Sequence, residues 1–210
     1  RKRIGRWFNG QASFSYAIVT GKSSSAEEGV LIARGDLEES ITEEFLSWDR
    51  PVTVNLSLNF FAQKGSFGFG EEIIDNWSLY LRGFYQSGKR YTPAVFTGSI
   101  DEDGRKEYEF VQGERYTEIA DDWFYIDLNF EKYFDLSGLS FSVFLEVNNL
   151  LDNKNSTIIN PVTGRAYEYG DDVPSSYNDP RYPDVQAPIF PYPLNPARYL
   201  TKRNLKFGVT

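Results

Sequence analysis

Apolar and polar residues alternate with a period of two through much of this chain, and the alternation marks the strands. The clearest case runs from Trp123 to Leu151. Phe124, Ile126, Leu128 and Phe130 alternate there with Tyr125, Asp127, Asn129 and Glu131, and Leu139, Phe141, Val143, Leu145 and Val147 alternate with Ser140, Ser142, Phe144, Glu146 and Asn148. Successive side chains of a strand leave on opposite faces, so each half predicts a strand with one greasy and one wet side. Asp135-Leu136-Ser137-Gly138 joins them as a hairpin, with a glycine able to take a positive φ.

The same pattern predicts four more strands. Phe8–Thr20 sets Phe8, Ala12, Phe14, Tyr16 and Ile18 against Asn9, Gln11, Ser13 and Ser15. Val52–Ala62 is the most regular, with Val52, Val54, Leu56, Leu58, Phe60 and Ala62 on one side. Trp77–Ser87 places Trp77, Leu79, Leu81 and Tyr85 opposite Ser78, Arg82 and Gln86, and Asn204–Thr210 closes the series. One stretch changes period: Leu37, Ile41, Phe45 and Trp48 share a helical face, and Asp36 with Glu39 forms a capping box, which predicts a short amphipathic helix over 36–48. A protruding ribbon is expected around the turn at 101–104.

Six strands in an antiparallel meander are thus joined by connections that alternate long and short. All long connections leave from one end of the sheet. A soluble sandwich has no reason to sort its loops this way, whereas outer-membrane barrels have short periplasmic turns and long outside loops. Aromatic residues collect at both ends of the strands: Phe60, Phe61, Trp77, Tyr133 and Phe134 at one, Tyr85, Trp123 and Phe124 at the other. That distribution resembles the two aromatic girdles of a membrane barrel.

Composition narrows the chemistry. The 210 residues include no Cys and no His, which removes disulfides, thiolate metal sites and Ser-His or Cys-His catalysis. No run approaches the roughly 18 apolar residues of a membrane helix, a test that a β-barrel escapes. The chain opens on strand-like sequence without Met, as expected of a piece of a longer chain. Net charge is -8, which argues against nucleic acid as a partner; the long connections 21–50, 88–122 and 152–199 together carry -11. Acidity thus sits where solvated outer loops are expected.

Two groups of residues are candidates for function. Arg82, Gln86, Asp127, Asn129, Glu131, Glu146 and Asn148 share the polar side of their strands, as a hydrated wall or, in a sharper reading, a carboxylate cluster for acid–base work. Trp48, Tyr167, Tyr169, Tyr177, Tyr182 and Tyr192 lie in the long connections as a candidate recognition surface. Asp101, Asp103, Asp152, Asp171 and Asp172 raise calcium as a ligand, but no full EF-hand pattern accompanies them, so solvated loop charge is the expectation and no metal site is assigned.

Four segments resemble the barrel of TonB-dependent outer-membrane receptors. SWDRPVTVNLSLNF (47–60) is similar to the family's "WDxxHxLNLxLxY", with Val52-Thr53 where His-Thr is common. YQSGKRYTPA (85–94) resembles its "GxxYTP" strand end, and residues 124–155 resemble the hairpin leading to "NLFDxxN", here Asn149-Leu150-Leu151-Asp152-Asn153-Lys154-Asn155. RYLTKRNLKFGVT (198–210) resembles the last strand but lacks its terminal Phe. The resemblance implies the C-terminal part of one large barrel of about 22 strands, whose plug and earlier strands lie outside these residues. It further implies no catalysis, no cofactor, and TonB-dependent uptake of a scarce ligand such as a ferric siderophore, cobalamin or an oligosaccharide. The implied partners are outer-membrane lipid, the plug, TonB and a surface lipoprotein. A soluble carbohydrate-binding β-sandwich and an outer-membrane adhesin stand as alternatives.

Overall fold

The structure is a computed structural model that describes residues 2–4, 7–22, 30, 33–35, 43–67, 74–100, 102, 106–136, 138–167, 171 and 199–210. The strands are β1 (Lys2–Ile4), β2 (Phe8–Tyr16), β3 (Thr20–Gly21), β4 (Glu44–Phe45), β5 (Val52–Ala62), β6 (Trp77–Gln86), β7 (Arg90–Tyr91), β8 (Ala94–Ile100), β9 (Lys106–Phe110), β10 (Glu118–Ile119), β11 (Trp123–Leu136), β12 (Leu139–Asn148) and β13 (Asn204–Val209). Seven of them form one antiparallel sheet in the order β1-β2-β5-β6-β11-β12-β13. Its neighbours follow chain order, so this is a meander. The six strands expected from the alternation are all present, and β1 adds a seventh at one edge.

Register fixes the faces. The row Ala12, Leu56, Gly83, Ile126 and the row Gly10, Leu58, Leu81, Leu128, Val147, Leu205 run across the sheet on one side. Gln11, Ser57, Arg82 and Asp127 form a row on the other. Because the side-chain period is two, a slip of one residue at any strand pair would put its apolar set among the polar one. Most of the apolar face has no second layer of described residues over it: Phe207 is 85% exposed and Phe14 69%, whereas Ala62, Lys132 and Val147 are buried on it.

The other buried apolar side chains gather in the connections at the long-loop end: Leu46, Ala94, Ala120, Ile159 and Tyr167. Small sheets order these connections: β3 pairs with β4, β7 with β10, and β8 with β9. The β8–β9 pair is the ribbon expected around 101–104, with a register shift between Phe96 and Ile100.

The helix expected over 36–48 requires correction. Residues 36–42 lie outside the described residues, and the remainder of the span is a strand at Glu44–Phe45 followed by a turn at Ser47–Trp48. The described helical residues, Val30, Ala33, Arg34 and Ile74, fall elsewhere. Tertiary contacts outweigh the local 3.6-residue period here. The Leu46 amide donates to the Val19 carbonyl at 3.2 Å, and the Arg90 guanidinium lies 3.5 Å over the Phe45 ring. Phe45 and Trp48, predicted to share a stripe, therefore part company, and Trp48 is left 51% exposed.

Candidate functional site

The seven polar candidates of the strands come out on one face. Asp127 is in register with Arg82, Asn129 with Tyr80 and Glu146, Glu131 with Ser78 and Phe144, Gln86 with Thr53 and Trp123, and Asn148 with Asn204. Their carboxylates do not converge. Asp127 Oδ1 accepts from the Asn149 amide at 2.9 Å, Glu131 Oε1 accepts from Ser142 Oγ at 2.9 Å, and Glu146 Oε1 takes the Lys206 ammonium at 3.3 Å with Asn148 Nδ2 at 2.9 Å. Each is engaged by its own neighbour.

Between them the face is a mixture of amides, hydroxyls and rings. Gln86 Nε2 donates to Thr53 Oγ1 at 3.3 Å, and Tyr80 OH donates to Ser57 Oγ at 3.3 Å. Phe84 stacks on Tyr125 with centroids 5.0 Å apart, and the Arg82 guanidinium lies 5.9 Å from the Tyr125 centroid. Phe144, an apolar residue in a polar phase, has a local cause. Its ring covers Gly208, where an added Cβ would come within 2.8 Å of it, so the aromatic fills the space a side chain would have taken.

At the long-loop end the strands run into a buried polar rim. Asp49 is fully buried, and its Oδ2 pairs with Arg90 Nε at 2.8 Å while Oδ1 accepts from the Val19 amide at 3.0 Å. Arg90 spends a further N–H on the Thr117 carbonyl at 2.9 Å. Beside this pair, Arg50 stacks 4.0 Å over Trp123 and donates to the Ser87 carbonyl at 3.2 Å. Asp122 accepts from Tyr85 OH at 2.7 Å and from the Gly88 amide at 3.1 Å. Burial and the nearby Arg50 charge hold the Lys89 ammonium below its ordinary pKa. Burial, helped by Glu118 and Asp121, pushes the Tyr91 hydroxyl up.

The asparagine run after β12 closes the rim on the other side. Asn149 has a φ of 52° and donates from Nδ2 to the Asn153 carbonyl at 2.8 Å and the Thr201 carbonyl at 3.2 Å. Its Oδ1 accepts from the Asn153 amide at 3.0 Å. Asn155 behaves as a strand partner would: Oδ1 accepts from the Phe124 amide at 2.9 Å and Nδ2 donates to the Phe124 carbonyl at 3.0 Å. Asparagine suits the work because its side chain carries both halves of a peptide group and tolerates positive φ.

The loop aromatics divide. Trp48 is exposed at its turn, and Tyr167 is only 2% exposed, packed within the connections and not presented to solvent. Tyr169, Tyr177, Tyr182 and Tyr192 lie outside the described residues, as do Asp101, Asp103 and Asp172. Asp152 accepts from the Arg203 amide at 3.0 Å, and no cluster of three acidic side chains placed to hold a metal occurs among the described residues.

Sequence reasoning passed over Asp49, Arg90 and the asparagines as individual residues, although they sit inside the segments SWDRP, GKRYTP and NNLLDNKN that stood out as motifs. SWDRP and GKRYTP meet at the Asp49–Arg90 pair, and NNLLDNKN is tied to the start of the 123–136 strand through Asn155 and Phe124. Comparison with models of known protein families, with curated proteins and with solved structures returns no match.

Proposed function

We propose that this chain forms the C-terminal wall and outer loops of a TonB-dependent transporter barrel in a Gram-negative outer membrane, with the polar face toward the lumen. The observation that carries the reading is the two-faced meander itself. Its apolar side spans six consecutive strands, and Leu56, Leu128, Phe141 and Leu145 are not buried under any other described part of the chain.

Several features support the same reading. Both edge strands, β1 and β13, have a side without a partner among the described residues, and lipid does not tolerate open edges, so the remaining strands of a barrel are the natural complement. The β1–β2, β5–β6 and β11–β12 connections share one end of the sheet, and the three long connections share the other. Carboxylates engaged by separate partners suit a hydrated wall better than acid–base catalysis. In this role the long loops and a plug domain capture a scarce ligand, and TonB remodels the plug to admit it. No bond is made or broken, and a surface lipoprotein is a candidate partner at the loop end.

Absence of cysteine makes the test clean. Single replacements Leu56→Cys and Leu145→Cys are expected to react with a bilayer-confined maleimide, and Ser57→Cys and Asn129→Cys with a water-soluble one. Protection of Leu56→Cys and Leu145→Cys from the bilayer-confined reagent, with Ser57→Cys and Asn129→Cys still labelled from water, would overturn the proposal in favour of a soluble sandwich.

A further inference from the structure

Lys132 interrupts the division between faces. It is in phase with Ile126, Leu128, Phe130 and Phe134, and its partners in register are Trp77 and Val143, so its side chain leaves the sheet on the apolar side. It is nevertheless only 7% exposed. The ammonium donates to the Asp75 carbonyl and lies 5.2 Å from the Phe134 centroid. Asp75, fully buried, is itself fixed by the Phe67 amide, which donates to its Oδ1 at 3.2 Å.

Around this ammonium the face becomes concave. Phe67 and Ile74, from the connection between β5 and β6, join Trp77, Leu79, Phe130 and Phe134 in an open apolar groove of about 700 Å³. Volumes of about 300–1,000 Å³ are typical of sites that hold one small ligand. Trp77 is held in place by donation from its indole N–H to the Ile74 carbonyl at 2.8 Å. Among the described residues that line it, Lys132 is the charged one.

A buried ammonium is costly unless it is fully paired, and it has three donors. Among the described residues Asp75 supplies its one hydrogen-bond acceptor. An anion entering with an apolar tail would satisfy both surfaces at once. The groove is continuous with the face assigned to lipid and lies at the short-turn end, where bilayer headgroups would be. We infer that it holds one acidic phospholipid, with an acyl chain along Phe67, Trp77, Phe130 and Phe134 and the phosphate accepting from Lys132. The inference rests on the membrane reading above.

The test uses the intact membrane protein in nanodiscs containing equal phosphatidylglycerol and phosphatidylcholine of matched chains. Lipid that remains bound after mild detergent extraction is then weighed by mass spectrometry. One phosphatidylglycerol is expected to be retained in preference to phosphatidylcholine. Lys132→Gln should lower that preference about five-fold, the worth of one basic residue near an anionic surface, and Lys132→Arg should preserve it. Leu79→Trp, which fills the groove and leaves the charge, should abolish retention of either lipid and serves also if Lys132→Gln does not fold. A Lys132→Gln protein that melts earlier but keeps the preference overturns the inference, because Lys132 would then only pin the turn. A protein that fails to float with liposomes sinks the membrane reading itself; one that floats with no preference sinks the groove alone.

Discussion

Removing the carboxylate of Asp49 tests whether the rim is a cooperative unit. In Asp49→Ala the Arg90 guanidinium loses its 2.8 Å partner while its side chain remains only 9% exposed, and the Val19 amide loses its 3.0 Å acceptor. Deleting one member of a buried pair costs about 3–5 kcal/mol, because the survivor is left charged and desolvated. The lower end, about 3 kcal/mol, applies here, since the Thr117 carbonyl and the Phe45 ring still compensate Arg90. At 1.36 kcal/mol per factor of ten, amide exchange through local opening should accelerate roughly 150-fold. The acceleration should be confined to 17–21, 44–50, 88–92 and 117–120, with the β5–β6 and β11–β12 ladders unaffected. Hydrogen exchange read by mass spectrometry on the detergent-solubilised protein resolves these peptides. Asp49→Ala/Arg90→Met should recover most of the loss, since apolar replacement of a whole buried pair is often close to neutral. The reasoning fails if the double variant is as loose as the sum of the two single ones, or if Asp49→Ala leaves rim exchange unchanged.

Two further outcomes follow from the same end of the sheet. Gly88→Ala should prevent the rim from closing, because the new Cβ would sit 1.8 Å from the Ala120 carbonyl oxygen, and backbone cannot swing aside as a side chain can; limited proteolysis in 110–122 should appear while the strands stay resistant. Asn149→Ala should cost about 2–4 kcal/mol in urea unfolding monitored by tryptophan fluorescence, combining a strained φ with lost buried hydrogen bonds, and Asn149→Gly should recover the backbone part alone.

What the sequence determined by itself was the sheet. Period-two alternation is a local property of the backbone, so Val52–Ala62 could be bounded to the residue, and the side on which Arg82, Asp127 and Glu146 emerge followed from counting. The 139–148 strand and its hairpin partner were legible for the same reason. Tertiary structure alone decided the rest. The stripe Leu37, Ile41, Phe45, Trp48 satisfied a helical period, but the pairing of Glu44–Phe45 with Thr20–Gly21 and the stacking of Arg90 are contacts between residues more than 20 positions apart, which no local window contains. Likewise Lys132 reads in sequence as one charge out of phase. Only the folding of Phe67 and Ile74 over the same face turns it into the charged wall of a groove. The union of Asp49 with Arg90 and of Asn155 with Phe124 belongs to this second class: local pattern specifies which face a side chain takes, and chain topology specifies what it meets there.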